Sequence, residues 1–92
     1  MDSSTQSCTV ELRDSHTGAL VAAGDAPQPH VAPPHSEQDP RDWWAALCLG
    51  MARALKNSDR PATDVRALSV VGQCHGLVCL DDHGDVLRSA KL

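Results

Sequence analysis

The sequence predicts a small α/β unit with the element order β-β-α-β-β-β, and three observations carry that prediction. Apolar and polar residues alternate over residues 8–13 ahead of a turn at Gly18, and apolar residues recur at helical spacing from Trp44 to Leu55. Two apolar runs, 65–71 and 77–80, flank a polar insert bounded by glycines. A chain of 92 residues has room for one modest core, because a domain of this order buries only roughly 60% of its unfolded surface.

The first clear element is the alternation of Cys8, Val10 and Leu12 with Thr9, Glu11 and Arg13, the period of a half-buried strand. Asp14-Ser15-His16-Thr17-Gly18 reads as a turn in which Gly18 can take positive φ. Residues 19–23 return as a second strand, so 2–23 form a polar turn followed by a hairpin. Four prolines between residues 25 and 34 remove backbone donors and fix φ, which predicts an extended crossing over 25–38. Asp39 is a candidate N-cap, and Pro40 suits the first helical position, where its missing N–H costs nothing. The helix is expected over 40–57, with Trp44, Leu47, Cys48, Met51 and Leu55 as its apolar stripe and the tryptophans as core anchors. Asn57-Ser58-Asp59-Arg60-Pro61 ends it. Residues 65–71 then suit a strand covered on both faces. Residues 77–80 suit another, and 86–88 pair back across a turn at Gly84.

Charge and composition exclude several classes. A net charge of −4 without a basic stripe argues against nucleic acid or an anionic membrane surface as partner. No apolar run approaches the ~20 residues that span a bilayer, and no charged segment with an apolar follower opens the chain, so the expectation is a soluble, cytoplasmic protein. Cys8, Cys48, Cys74 and Cys79 lack the spacing of a disulfide scaffold and read as reduced, mostly buried thiols. Cys74, His75 and Cys79 without a second ligand pair do not make a tetrahedral zinc set. His16, His30, His35 and His83 sit in polar contexts and are expected to face solvent.

Two polar segments could carry chemistry. Asp2-Ser3-Ser4-Thr5-Gln6-Ser7 gathers a carboxylate, hydroxyls and an amide. In a tight β-turn such groups and their N–H can surround a phosphate, while Asp2 can reach a Mg²⁺ or its waters. The alternative is a disordered polar terminus, and without glycine the segment is no Walker loop. In Gly72-Gln73-Cys74-His75-Gly76 the glycines admit close approach of a backbone or ligand. On an extended backbone Gln73 and His75 would project to one side and could hydrogen-bond a small polyol; the alternative is a β-bulge with a structural histidine.

Taken in order, Asp2-Ser3-Ser4-Thr5-Gln6-Ser7, the Thr17-Gly18 hairpin, Glu37-Gln38-Asp39-Pro40 followed by Trp43-Trp44, and Gly72-Gln73-Cys74-His75-Gly76 with Leu80-Asp81 and Gly84 resemble the N-terminal segment of FGGY-family carbohydrate kinases. The resemblance is closest to the xylulokinases and covers nearly the whole chain. It implies a partial ribonuclease-H-like, actin-like ATPase domain lacking its first strand, since Met1 stands where an apolar strand would end. It implies Mg-ATP, with Asp2 at the Mg²⁺–phosphate end and Thr5, Gln6 and Ser7 facing the γ-phosphate. It also implies a ketose, D-xylulose, contacted by Cys74 and His75 with Gln73 in support. Thr9 departs from the Lys or Arg of many relatives, and Glu11 departs from a usually apolar strand. The Trp-Asn-Asp motif and the catalytic base of such kinases would follow Leu92, so no catalytic residue is expected here and the fragment alone should be inactive. The competing expectations are a non-catalytic binding or interaction module, or a gene remnant, that pairs with another chain or with itself through an open sheet edge, and a thiol or metal module.

Overall fold

The computed structural model describes residues 1–32 and 34–92. Its main sheet holds β1 (Asp2–Ser3), β2 (Ser7–Arg13), β3 (Leu20–Pro27) and β5 (Val71–Gly72) in the order β3-β2-β1-β5. A two-stranded sheet pairs β4 (Glu37–Gln38) with β6 (Ala90–Lys91), and α1 (Pro40–Ser58) covers the hairpin β2–β3. The position of the first strand is thus filled by Asp2–Ser3 alone, antiparallel to β2 and parallel to β5.

The hairpin forms as its alternation requires. Cys8 and Val10 are buried on one face together with Ala26, while Thr9 and Glu11 turn away. Its turn is fixed by the Asp14 carboxylate, which accepts from the His16 and Thr17 N–H at 2.9 Å each, with Gly18 at φ +73°. β3 continues to Pro27, into the segment expected to be a crossing. This is allowed because β3 is the edge of the sheet, where a missing donor breaks no ladder. Pro33, also in that segment, lies outside the described residues.

The helix starts and ends as expected. The Asp39 side chain accepts from the Arg41 N–H at 2.9 Å, Pro40 occupies the first turn, and Asp59 closes the helix in the left-handed region at φ 55°. Its buried face differs from the expected stripe, consisting of Ala46, Gly50 and Ala54, with Leu47 and Met51 packed alongside. Trp44 is 68% exposed and Cys48 is also exposed, so neither anchors the core. The reason is the closeness of α1 to β3: a β-carbon at Gly24 would collide with the Ala54 nitrogen and the Gly50 carbonyl. Only small residues fit at that contact, and the bulky ones flank it.

Residues 65–70 form no strand and are exposed instead of covered on both faces. β1 supplies just two residues of parallel partner, Asp2 for Val71 and Ser3 for Gly72, so the ladder stops there. The expected strands at 77–80 and 86–88 reduce to single bridges, Leu77 with Lys91 and Leu80 with Val86. They lie around a turn in which Asp81 accepts from the His83 and Asp85 N–H. All four cysteines are free, but Cys8 alone is buried; Cys79 is half-buried, and Cys48 and Cys74 are exposed. Burial pushes the Cys8 thiol above its usual range. The histidines at 16, 30, 35 and 83 face solvent. Among the described residues no helix is long and apolar enough to cross a membrane.

Two predictions follow from this packing. Gly24→Ala should destabilise the chain by about 1–3 kcal/mol or more through overpacking, whereas Gly18→Ala, with open space around it, should cost about 1 kcal/mol from positive φ alone; urea midpoints measure both. A second concerns acid. The Lys91 ammonium, which hydrogen-bonds Glu37, and then the Arg88 charge hold the Glu37 carboxyl below its usual value of 4.5. The Thr17 and His16 N–H hold Asp14 below 3.8. Both groups have a depressed folded-state value, so their stabilisation is complete above the unfolded values and disappears as pH falls through the folded ones. Urea midpoints recorded from pH 6 downward should therefore decline below pH ~4.5, and Glu37→Gln with Asp14→Asn should flatten that decline.

Candidate functional site: two loops at the ends of a parallel strand pair

β1 and β5 run parallel, with Val71 N–H donating to the Met1 carbonyl at 2.8 Å and the Met1 ammonium donating to the Ser69 carbonyl at 3.0 Å. Residues 4–7 leave the end of β1 and residues 73–76 leave the end of β5, so the two polar segments emerge side by side. The carboxyl ends of parallel strands are where open α/β sheets bind ligands.

The first segment is an ordered turn, not a loose terminus. Ser4 donates its N–H and its hydroxyl to the Ser7 carbonyl at 3.0 and 3.1 Å. Two buried glutamines hold it from behind. Gln28, 4% exposed, donates its side-chain amide to the Ser3 hydroxyl at 3.0 Å and its backbone N–H to the Gln6 carbonyl at 2.9 Å. Gln38, 6% exposed, donates to the carbonyls of Thr5 at 2.8 Å and Pro29 at 3.1 Å, and accepts from the Trp43 indole N–H at 2.9 Å. The carbonyls of Thr5 and Gln6 are thereby turned inward, and among the described residues their N–H groups donate to no protein acceptor. Asp2 is exposed and has no ion-pair partner among those residues.

This arrangement fits Mg-ATP. Free N–H groups and hydroxyls on a tight turn suit a phosphate, and an unpaired carboxylate beside them suits a hydrated Mg²⁺. Thr9 donates its hydroxyl to the Asp25 carboxylate at 2.7 Å. The turn therefore gains no basic side chain from β2.

In the second segment the backbone turns at Cys74 and His75, and His75 has φ 62°. The extended backbone that would put Gln73 and His75 on one side is absent. Gln73 lines a groove of about 410 Å³ with Ser3, Ser4, Trp43 and Trp44, while Cys74 and His75 are exposed outside its lining. The Gln73 Oε1 atom is shielded from solvent and lacks a donor among the described residues. An acceptor in that condition costs about 1–3 kcal/mol, so a donor arriving there would be stabilising. Gln28 and Gln38 were not among the expected site residues. Gln38 had one legible signal, its place beside an N-cap and a tryptophan within the first turn.

The N-terminal domain profile of the FGGY family of carbohydrate kinases matches residues 1–92. The chain belongs to this family. It is 44% identical over 92 residues to the xylulose kinases of Streptomyces rubiginosus and of Arthrobacter sp. (strain NRRL B3728), covering 18% of the first and 86% of the second. The crystal structure of xylulose kinase from Bifidobacterium adolescentis superposes with a TM-score of 0.78 at 42% identity, over 99% of this chain and 16% of that one. A xyloylose kinase from Brucella ovis superposes with a TM-score of 0.88 at 25% identity, over 99% of this chain and 19% of that one. The chain spans 18% of the length of the two Streptomyces relatives. The FGGY fold is thus the actin-like α/β architecture expected, present here as part of its N-terminal domain.

Gln38→Leu should remove the brace behind the turn. The variant leaves two carbonyls and an indole N–H without their partner, and should lose about 2–4 kcal/mol with a red shift of tryptophan emission, read by urea titration followed by fluorescence.

Proposed function

We propose that residues 1–92 form the phosphate-facing and sugar-facing part of an ATP-dependent ketose kinase that converts D-xylulose to D-xylulose 5-phosphate in the cytoplasm. The observation that carries this reading is the juxtaposition of two polar loops at the ends of β1 and β5, one with free N–H groups and a free carboxylate, the other with polar side chains between glycines. The choice of xylulose is supported by relatives 40–44% identical to this chain, which are xylulose kinases.

Bound Mg-ATP supplies the transferable phosphoryl group and the cation that offsets its charge. On the protein side, Asp2 would hold the cation or its waters, and Thr5, Gln6 and Ser7 would donate toward the γ-phosphate. Cys74 and His75 contact the ketose hydroxyls, with Gln73 supporting them from the same loop. Phosphoryl transfer requires an in-line acceptor and a group to take its proton. We assign no such base within residues 1–92, so by themselves they should be inactive.

ADP formation with ATP, Mg²⁺ and a panel of ketoses tests the reading. A full-length polypeptide carrying these residues should turn over D-xylulose in preference to other ketoses, and residues 1–92 alone should stay at the blank. Asp2→Asn should lower kcat by ~100-fold as transition-state charge loses its counter-charge. His75→Ala should raise the ketose KM by ~10-fold, the loss of about one hydrogen bond to substrate. Turnover by the 92 residues, or indifference to Asp2→Asn, contradicts the assignment.

A further inference from the structure

Trp43 and Gln38 link the two loops through one continuous path. The Trp43 Cη2 stands 4.0 Å from where a β-carbon at Gly76 would be, and both residues line the same groove, so the indole tip is the side chain that faces the second loop there. The indole N–H donates to Gln38 Oε1, and the Gln38 amide donates in turn to the Thr5 carbonyl. Gln38 is fixed on the strand side by the pairing of β4 with β6. Trp43 is fixed by the first turn of a capped helix. Two joints are directional hydrogen bonds held on paired or helical elements, and the third is the indole tip facing Gly76 across the groove.

We propose that Trp43 and Gln38 are positioning residues that set the separation between the phosphate-facing turn and the ketose-facing loop. What the two loops bind rests on the kinase reading; the mechanical coupling does not. A phosphoryl group and its acceptor must meet in line at near contact, and an error of about 1 Å costs ~100-fold in rate. A brace spanning both loops therefore acts on kcat more than on KM.

Two variants break the path at different points. Trp43→Phe removes the indole N–H to Gln38 together with the Cη2 tip that stands near Gly76. Gln38→Glu keeps an acceptor for the indole and, read at a pH high enough to ionise the carboxyl, offers no donor to Thr5. Backbone ¹⁵N relaxation of the chain should show order parameters at Thr5, Gln6, His75 and Gly76 falling from about 0.85 toward 0.6 in both variants, with Val10 and Ala54 unchanged. Loosening confined to the loop nearest each substitution would overturn the proposal. If Gln38→Glu unfolds the chain, Trp43→Phe decides by itself: motion at His75 and Gly76 with none at Thr5 and Gln6 overturns it. In a full-length polypeptide carrying these residues, both variants should lower kcat by ~10-fold or more with KM changes under ~3-fold; a raised KM at unchanged kcat is the contrary result. If that polypeptide shows no kinase turnover, the functional reading fails, and the relaxation data still decide the coupling.

Discussion

The side-chain amide of Gln38 joins segments that no local preference could bring together. Its N–H groups hold the carbonyls of Thr5 in the first turn and Pro29 in the proline-rich segment, and its oxygen holds the indole of Trp43 in the helix. Without this amide the two carbonyls and the indole N–H would lose their protein partner, at up to about 1–3 kcal/mol apiece where water cannot replace it. The placement of the first polar turn follows from this one group, assisted by Gln28, which holds Ser3 and Gln6.

The second constraint is the small-residue contact between α1 and the hairpin. Gly24 and Gly50 let the helix backbone rest on β3 and β2, so the apolar core consists of Cys8, Val10, Ala26, Ala46 and Ala54. Such a core contributes little area, but it fixes the helix axis closely where the backbones meet at Gly24 and Gly50. The position of Trp43 relative to the strands derives from that rigidity. Trp44, Leu49, Leu68, Val70, Val71, Leu77 and Leu87 are left exposed among the described residues, in line with a segment that spans 18% of its Streptomyces relatives.

Electrostatics at the first turn are acidic on the protein side. Among the described residues Asp2 has no ion-pair partner, and Asp25 accepts from the Thr9 hydroxyl. An anion at that turn would meet backbone N–H groups and no lysine or arginine side chain of residues 2–7.

The sequence by itself determined what local physics controls. The hairpin alternation from Cys8, the turn closed by Asp14 and Gly18, and the helix from Asp39 and Pro40 to Asp59 all appear as read, because periods, caps and positive-φ positions act over a few residues. It also made the family legible, through polar motifs in a fixed order. Tertiary structure decided the rest. Which helix face is buried depended on how near β3 comes at Gly24, a distance that hydrophobic periodicity does not contain, and it displaced Trp44 and Cys48 from the core. How far residues 65–71 form a strand depended on the two-residue partner that β1 offers. The role of Gln38 was hidden for the same reason: its partners lie at Thr5, Pro29 and Trp43, and only folding sets them around one amide.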